Sequence, residues 1–286
     1  MTVENGDGSG VLSPWLTWQM KLRRQIILII PLVAFAILAL AIILSRTDSV
    51  RPAEQTNPAQ PSITRAIQDR PTVDPRNYNA TLSKVEHERV ALRSRYQRAT
   101  TISEKQLVID EARASLLRAV SDEVSPFWYG TKWDFYGTTE TPGRGQIACG
   151  YFVSTVLRDA GLNVQRSRLA QQASENTILS LTTNDHTKRF RNAPLNSFFE
   201  SVKNWGTGLY IVGLDIHVGF ILNVAGEVYF IHSSYVDPYR VVKERAVESQ
   251  ILTASRYRVL GKISEDDDLI VRWLKGELFT TRVNRN

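Results

Sequence analysis

The sequence predicts an α+β fold, with an antiparallel sheet and a cysteine-bearing helix set behind an apolar N-terminal span. Three observations lead there. Residues 209–223 and 227–233 are rich in β-branched and aromatic side chains and meet at Ala225-Gly226, as in a β-hairpin. Helical periodicity lies elsewhere in the chain, across residues 81–120 and in the run after Cys149. Residues 25–44 carry no charge at all, and a helix of about 20 such residues spans about 30 Å of hydrocarbon.

The order of elements begins with a polar tail at 1–24 and the span at 25–44. Lys21, Arg23 and Arg24 crowd the front of that span, which places the N-terminus in the cytoplasm and the rest outside. A cleaved signal peptide is the rival reading. The apolar stretch is longer than a signal core and lacks a clear small-x-small site, so an uncleaved single-pass anchor in membrane lipid is expected. Pro52, Pro58, Pro61, Pro71 and Pro75 mark residues 45–78 as a semi-extended linker.

Residues 79–122 form a helical segment. Leu82, Val85, Leu92, Tyr96 and Ala99 recur at helical spacing, with Arg89 where an apolar residue would fit. Ser103-x-x-Gln106 has the form of a capping box before Leu107, Ala112, Leu116 and Ala119. Two helices, or one with a kink, follow; they either pack on the next domain or self-associate with a second chain. His87 reads as a solvated helix residue.

The remaining domain, 123–286, opens with an aromatic run at 127–136 that serves as core or as a cleft wall; Trp133 and Tyr136 are the cleft candidates. Cys149 is the chain's one cysteine, and it opens a helix carrying Tyr151, Phe152, Val156, Leu157 and Ala160. First-turn N–H groups favour a thiolate there, which makes Cys149 a candidate nucleophile; the other reading is a small buried hydrophobe. A helix is expected from Pro194 to Trp205, a strand over 256–263, and a last helix from the acidic run at 265–268 to about Leu278.

If Ala225-Gly226 is a two-residue turn, Val224 faces Glu227 and Gly219 faces His232. His217 and His232 then form a diagonal pair on one face. A register change of one residue would part them. A thiol, an imidazole that takes and returns its proton, and a polar group that orients the imidazole are the parts of a cysteine peptidase or amidase. Cys149, His217 and His232 supply them in that order. The backbone N–H of Cys149 would meet the oxyanion, with the amide of Gln146 as candidate second donor.

The run G-Q-I-A-C-G-Y-F-V-S-T-V-L, followed by H-V-G-F-I-L and F-I-H-S-S, resembles the NlpC-type cysteine peptidases and the related CHAP amidases of the papain-like superfamily. The likeness covers residues 125–235. It implies a papain-like domain, a nucleophile at Cys149, a base at His217, an orienting group at His232 and amide bonds of cell-wall peptides as substrate. Ala148 and Gly150 stand where that family usually has Asp and Ser.

The composition excludes other classes. The net charge of +6 is spread without a Lys/Arg block, so no nucleic-acid partner is expected. No C-x-x-C, H-E-x-x-H or phosphate-binding glycine loop is present, so no metal and no cofactor is implied. One cysteine allows no internal disulfide.

Overall fold

The computed structural model describes residues 67–282. Seven strands build one antiparallel sheet in the order β1-β6-β5-β4-β3-β7-β2. The strands are β1 (Ile67–Gln68), β2 (Thr187–Arg191), β3 (Gly208–Leu214), β4 (Val218–Val224), β5 (Glu227–Ser233), β6 (Val241–Arg245) and β7 (Tyr257–Lys262). The helices are α1 (Tyr78–Arg98), α2 (Ile102–Arg118), α3 (Ser125–Trp128), α4 (Cys149–Asp159), α5 (Arg166–Ala170), α6 (Ser174–Leu179), α7 (Leu195–Trp205), α8 (Gln250–Ala254) and α9 (Asp267–Lys275).

The expected fold needs correction at its front end. Among the described residues no helix is long and apolar enough to cross a membrane. The longest described helix, α1, carries Lys84, Glu86, Glu88, Arg89, Arg93, Arg95 and Arg98, charges that hydrocarbon would not accept. The tail at 1–24, the span at 25–44 and residues 45–66 of the linker lie outside the described residues. The end of that linker is no spacer, because Ile67 and Gln68 pair with Glu244 and Lys243 at the sheet edge.

The pleat sends alternate side chains to two cores. Leu209, Ile211, Phe220, Leu222, Ile231 and Val259 pack with α4 and with apolar residues of α1, α2 and α9. Tyr210, Val212, Ile221, Phe230 and Leu260 pack with Phe198, Phe199 and Val202 of α7 and with Ile251 and Leu252 of α8. The hairpin has the register read from the sequence, with Val224 opposite Glu227. Ala225 at φ 51° and Gly226 at φ 90° are both left-handed, as the tight hairpin turn that matches strand twist requires.

Two helices, not one, occupy the N-terminal segment. The cap of the second differs from expectation: Thr101 Oγ1 accepts from the Glu104 N–H at 3.1 Å, and Glu104 Oε2 accepts from the Thr101 N–H at 3.0 Å. This box lies two residues before the expected one, since Thr101 is the extended residue ahead of the first turn. Arg89, the apparent intruder, is buried and donates to the carbonyls of Trp273 and Leu274 at 3.1 and 2.9 Å. It thereby donates to two carbonyls at the end of α9, one of which, Trp273 O, also accepts from the Gly276 N–H at 3.0 Å, and binds α1 to the domain. His87 is exposed, as expected. The final helix stops at Lys275, earlier than Leu278, because Gly276 adopts the left-handed cap at φ 70°.

Candidate active site

Cys149 occupies the first position of α4, after Ala148 as an extended N-cap. Three contacts set the loop before it. Ile147 N–H donates to Lys132 O at 2.9 Å, Ala148 N–H donates to Gly137 O at 2.8 Å, and Ser233 Oγ donates to Ile147 O at 2.7 Å. The last bond ties the cysteine loop to β5, one residue past His232. Gly150 is glycine for a steric reason: a Cβ there would run into the Ala170 carbonyl oxygen, where α5 crosses the first turn of α4.

Cys149 and His217 line one cavity of about 400 Å³, together with Ala173, Asp215 and Ile216. His217 stands just before β4, in the three-residue turn closed by Leu214 N–H donating to its carbonyl at 2.8 Å. Its Nε2 lies 3.0 Å from Nδ1 of His232. Nε2 of His232 lies 3.1 Å from Oε1 of Glu244. The three side chains are buried, with exposures of 2%, 0% and 2% in that order, and they step across β4, β5 and β6, which are neighbours in the sheet.

Packing holds this line in place. The His232 ring stacks on Phe230, with centroids 3.9 Å apart. Gly219 leaves the space between the two histidine strands open; a Cβ there would sit 2.8 Å from His232 Cβ and 2.6 Å from Phe230 Cε2. At the far end of His217 its Nδ1 is buried and has no hydrogen-bond partner. The imidazole is thus tethered on one nitrogen and bare on the other.

The electrostatics correct one expectation. The N–H groups of Val218, Gly150 and Cys149 draw the Cys149 thiol downward, but burial is the larger cause and pushes it above its ordinary value. The helix-end effect is outweighed by desolvation. Burial first, then the neighbouring His232, hold His217 well below its ordinary value of 6.5. At neutral pH the resting site therefore holds a thiol and a neutral imidazole.

The other sequence candidates fall in two groups. Trp133 is half-buried and lies against Tyr235, with ring centroids 6.3 Å apart. Tyr136 is 83% exposed and touches Phe135. Gln146 is exposed and is not part of the cavity wall that holds Cys149; its backbone continues the loop by accepting from Thr139 N–H at 3.0 Å.

Sequence reasoning missed two residues. Tyr235 packs its ring 5.2 Å from that of His217, and its pKa is raised by burial and by a negative charge on Cys149. Glu244 lies on β6, a strand not expected from the sequence. Its one signal is the alternation around Val242 and Glu244, which becomes readable once β6 is paired with β5.

No family model, curated protein or solved structure matches the chain.

Proposed function

We propose that the chain is a cysteine hydrolase that cleaves amide bonds in cell-envelope peptides, with Cys149 as nucleophile, His217 as base and then acid, and His232 as the group that orients His217. The observation that carries this reading is His217 itself. It is fastened to His232 through Nε2, its Nδ1 is buried without a hydrogen-bond partner, and the residue lines the same cavity as Cys149. Buried polar atoms are paired at most positions, so an unpaired imidazole nitrogen beside a cysteine-lined cavity calls for a partner.

Because the thiol is raised and the imidazole depressed, proton transfer accompanies attack. The S–H proton passes to Nδ1 of His217 as sulfur bonds to the acyl carbon. His217 returns that proton to the departing amine, and water then releases the acyl group from sulfur by the same proton path. The N–H groups of the α4 first turn and the Tyr235 hydroxyl are the donors for the oxyanion. Tyr235 joins Gln146 as a candidate for that role because its ring packs on His217. The substrate class comes from the likeness of the cysteine and histidine motifs to NlpC-type enzymes.

The test is incubation of the full-length protein with purified cell-wall peptides, followed by mass spectrometry. Hydrolysed products are expected with the wild type and absent with Cys149→Ala. Identical product patterns from both proteins would rule the reading out.

One observation favours a second reading, an inactive domain serving as a binding module: the resting thiol is protonated and its burial opposes ionisation. In that case iodoacetamide would label Cys149 at the same slow rate in the wild type and in His217→Ala.

A further inference from the structure

We propose that Glu244 is a positioning residue that dictates which nitrogen of each buried histidine carries its proton. The inference rests on the Cys149–His217 reading above. Two ring nitrogens 3.0 Å apart need one proton between them, and without a third group either ring can hold it. The third group is the Glu244 carboxylate at 3.1 Å from Nε2 of His232.

In the proposed line Glu244 is a carboxylate, which only accepts, so Nε2 of His232 carries the hydrogen. In that arrangement His232 is neutral, and its Nδ1 accepts. The proton between the rings therefore belongs to Nε2 of His217, which leaves Nδ1 of His217 as a free acceptor. That is the nitrogen found without a partner. The direction of every bond in the line is set at its far end, two side chains away from the sulfur.

The same line accounts for the charge that attack creates. When the S–H bond breaks and Nδ1 of His217 gains the proton, its Nε2–H already points to His232. The positive charge then faces a path that ends on a buried carboxylate instead of an apolar wall. Burying Glu244 at 2% exposure would be costly for packing alone, and the protein places it on the strand directly beside β5.

Tautomers report on this directly. The chain has four histidines, so long-range proton–nitrogen spectra of the full-length protein with 15N-labelled histidine are simple to assign using His217→Gln and His232→Gln. Both buried rings should be protonated at Nε2 at pH 7. A wild-type His217 protonated at Nδ1 would overturn the proposal with no variant needed at Glu244.

The functional arm is the rate of Cys149 alkylation by iodoacetamide. Glu244→Gln removes the charge and can turn either its amide N–H or its carbonyl to His232, so a hydrogen on Nδ1 of His217 is no longer excluded. Its rate should fall at least about ten-fold, while Glu244→Asp, which keeps the carboxylate, should recover most of the loss. If Glu244→Gln reacts like the wild type while His217→Ala is slowed, the positioning role is wrong and the cysteine–histidine reading stands. If His217→Ala also reacts like the wild type, that reading fails and the positioning role fails with it. Should Glu244→Gln not fold, the wild-type tautomers decide.

Discussion

The sulfur and the imidazole of the candidate site are held by different means. Cys149 depends on backbone: the helix start, the N–H groups of Val218 and Gly150, and a loop fastened through main-chain bonds to Lys132 and Gly137. His217 depends on side chains, in a buried line through His232 to Glu244. A backbone cradle tolerates a change of the side chain it presents but not a change of path. A buried polar line tolerates neither a lost member nor a reversed one, since each unpaired group there costs about 1–3 kcal/mol.

Substitution at the two glycines should break the ends most severely. Gly150→Ala sets a Cβ against the Ala170 carbonyl, and a main-chain atom cannot turn aside. Although alanine is the better helix former, a loss of about 3 kcal/mol in urea unfolding is expected. A loss below about 0.5 kcal/mol would mean that α5 does not fix the thiol end. Gly219→Ala meets Phe230 Cε2, His232 Cβ and the Ile231 carbonyl oxygen; only the Phe230 ring edge can turn aside, and about 2 kcal/mol is expected. This variant should also disturb the histidine tautomers, which Gly150→Ala should leave alone.

A smaller effect separates the ends by pH. His217 is held well below 6.5 when folded and regains its ordinary value when unfolded. The unfolded chain therefore binds the extra proton as pH falls below 6.5, and stability drops by about 1.4 kcal/mol per pH unit until the folded-state value is reached. Above 6.5 this contribution is complete. His217→Gln should flatten that slope; an unchanged slope between pH 6.5 and 5 would show that His217 is not the group responsible.

The smallest stability effect belongs to Cys149, the proposed nucleophile. Cys149 is half-buried and its place is set by main chain, so Cys149→Ala should unfold within about 1 kcal/mol of the wild type while losing all turnover. A larger destabilisation would return Cys149 to the role of a small core residue.

Parts of the site were legible before folding and parts were not. His217 and His232 were placed on one face because a two-residue turn and period-two alternation determine register locally. Trp133 was read as core or cleft wall from its aromatic company; it packs beside Tyr235 and is not among the residues lining the Cys149 cavity. Gln146 was chosen for nearness in sequence to Cys149 and Tyr136 for its place in the aromatic run, and both face solvent. Tyr235 and Glu244 gave no comparable signal, because their roles depend on strands folding back past a loop at 234–240. Arg89 looked like a flaw in a helix until the end of α9 was seen against it.

By itself the sequence determined the helical segment at 79–122, the cysteine helix, the helix at 194–205 and the last helix, the hairpin, and the likeness of its cysteine and histidine motifs to a hydrolase. Those depend on periodicity, turn chemistry and spacing, all of which act within a few residues. The tertiary structure alone decided that the thiol rests above its ordinary pKa and that a carboxylate closes the histidine line. Desolvation and buried hydrogen bonds come from atoms far apart in the chain, and no local pattern encodes which of them will meet.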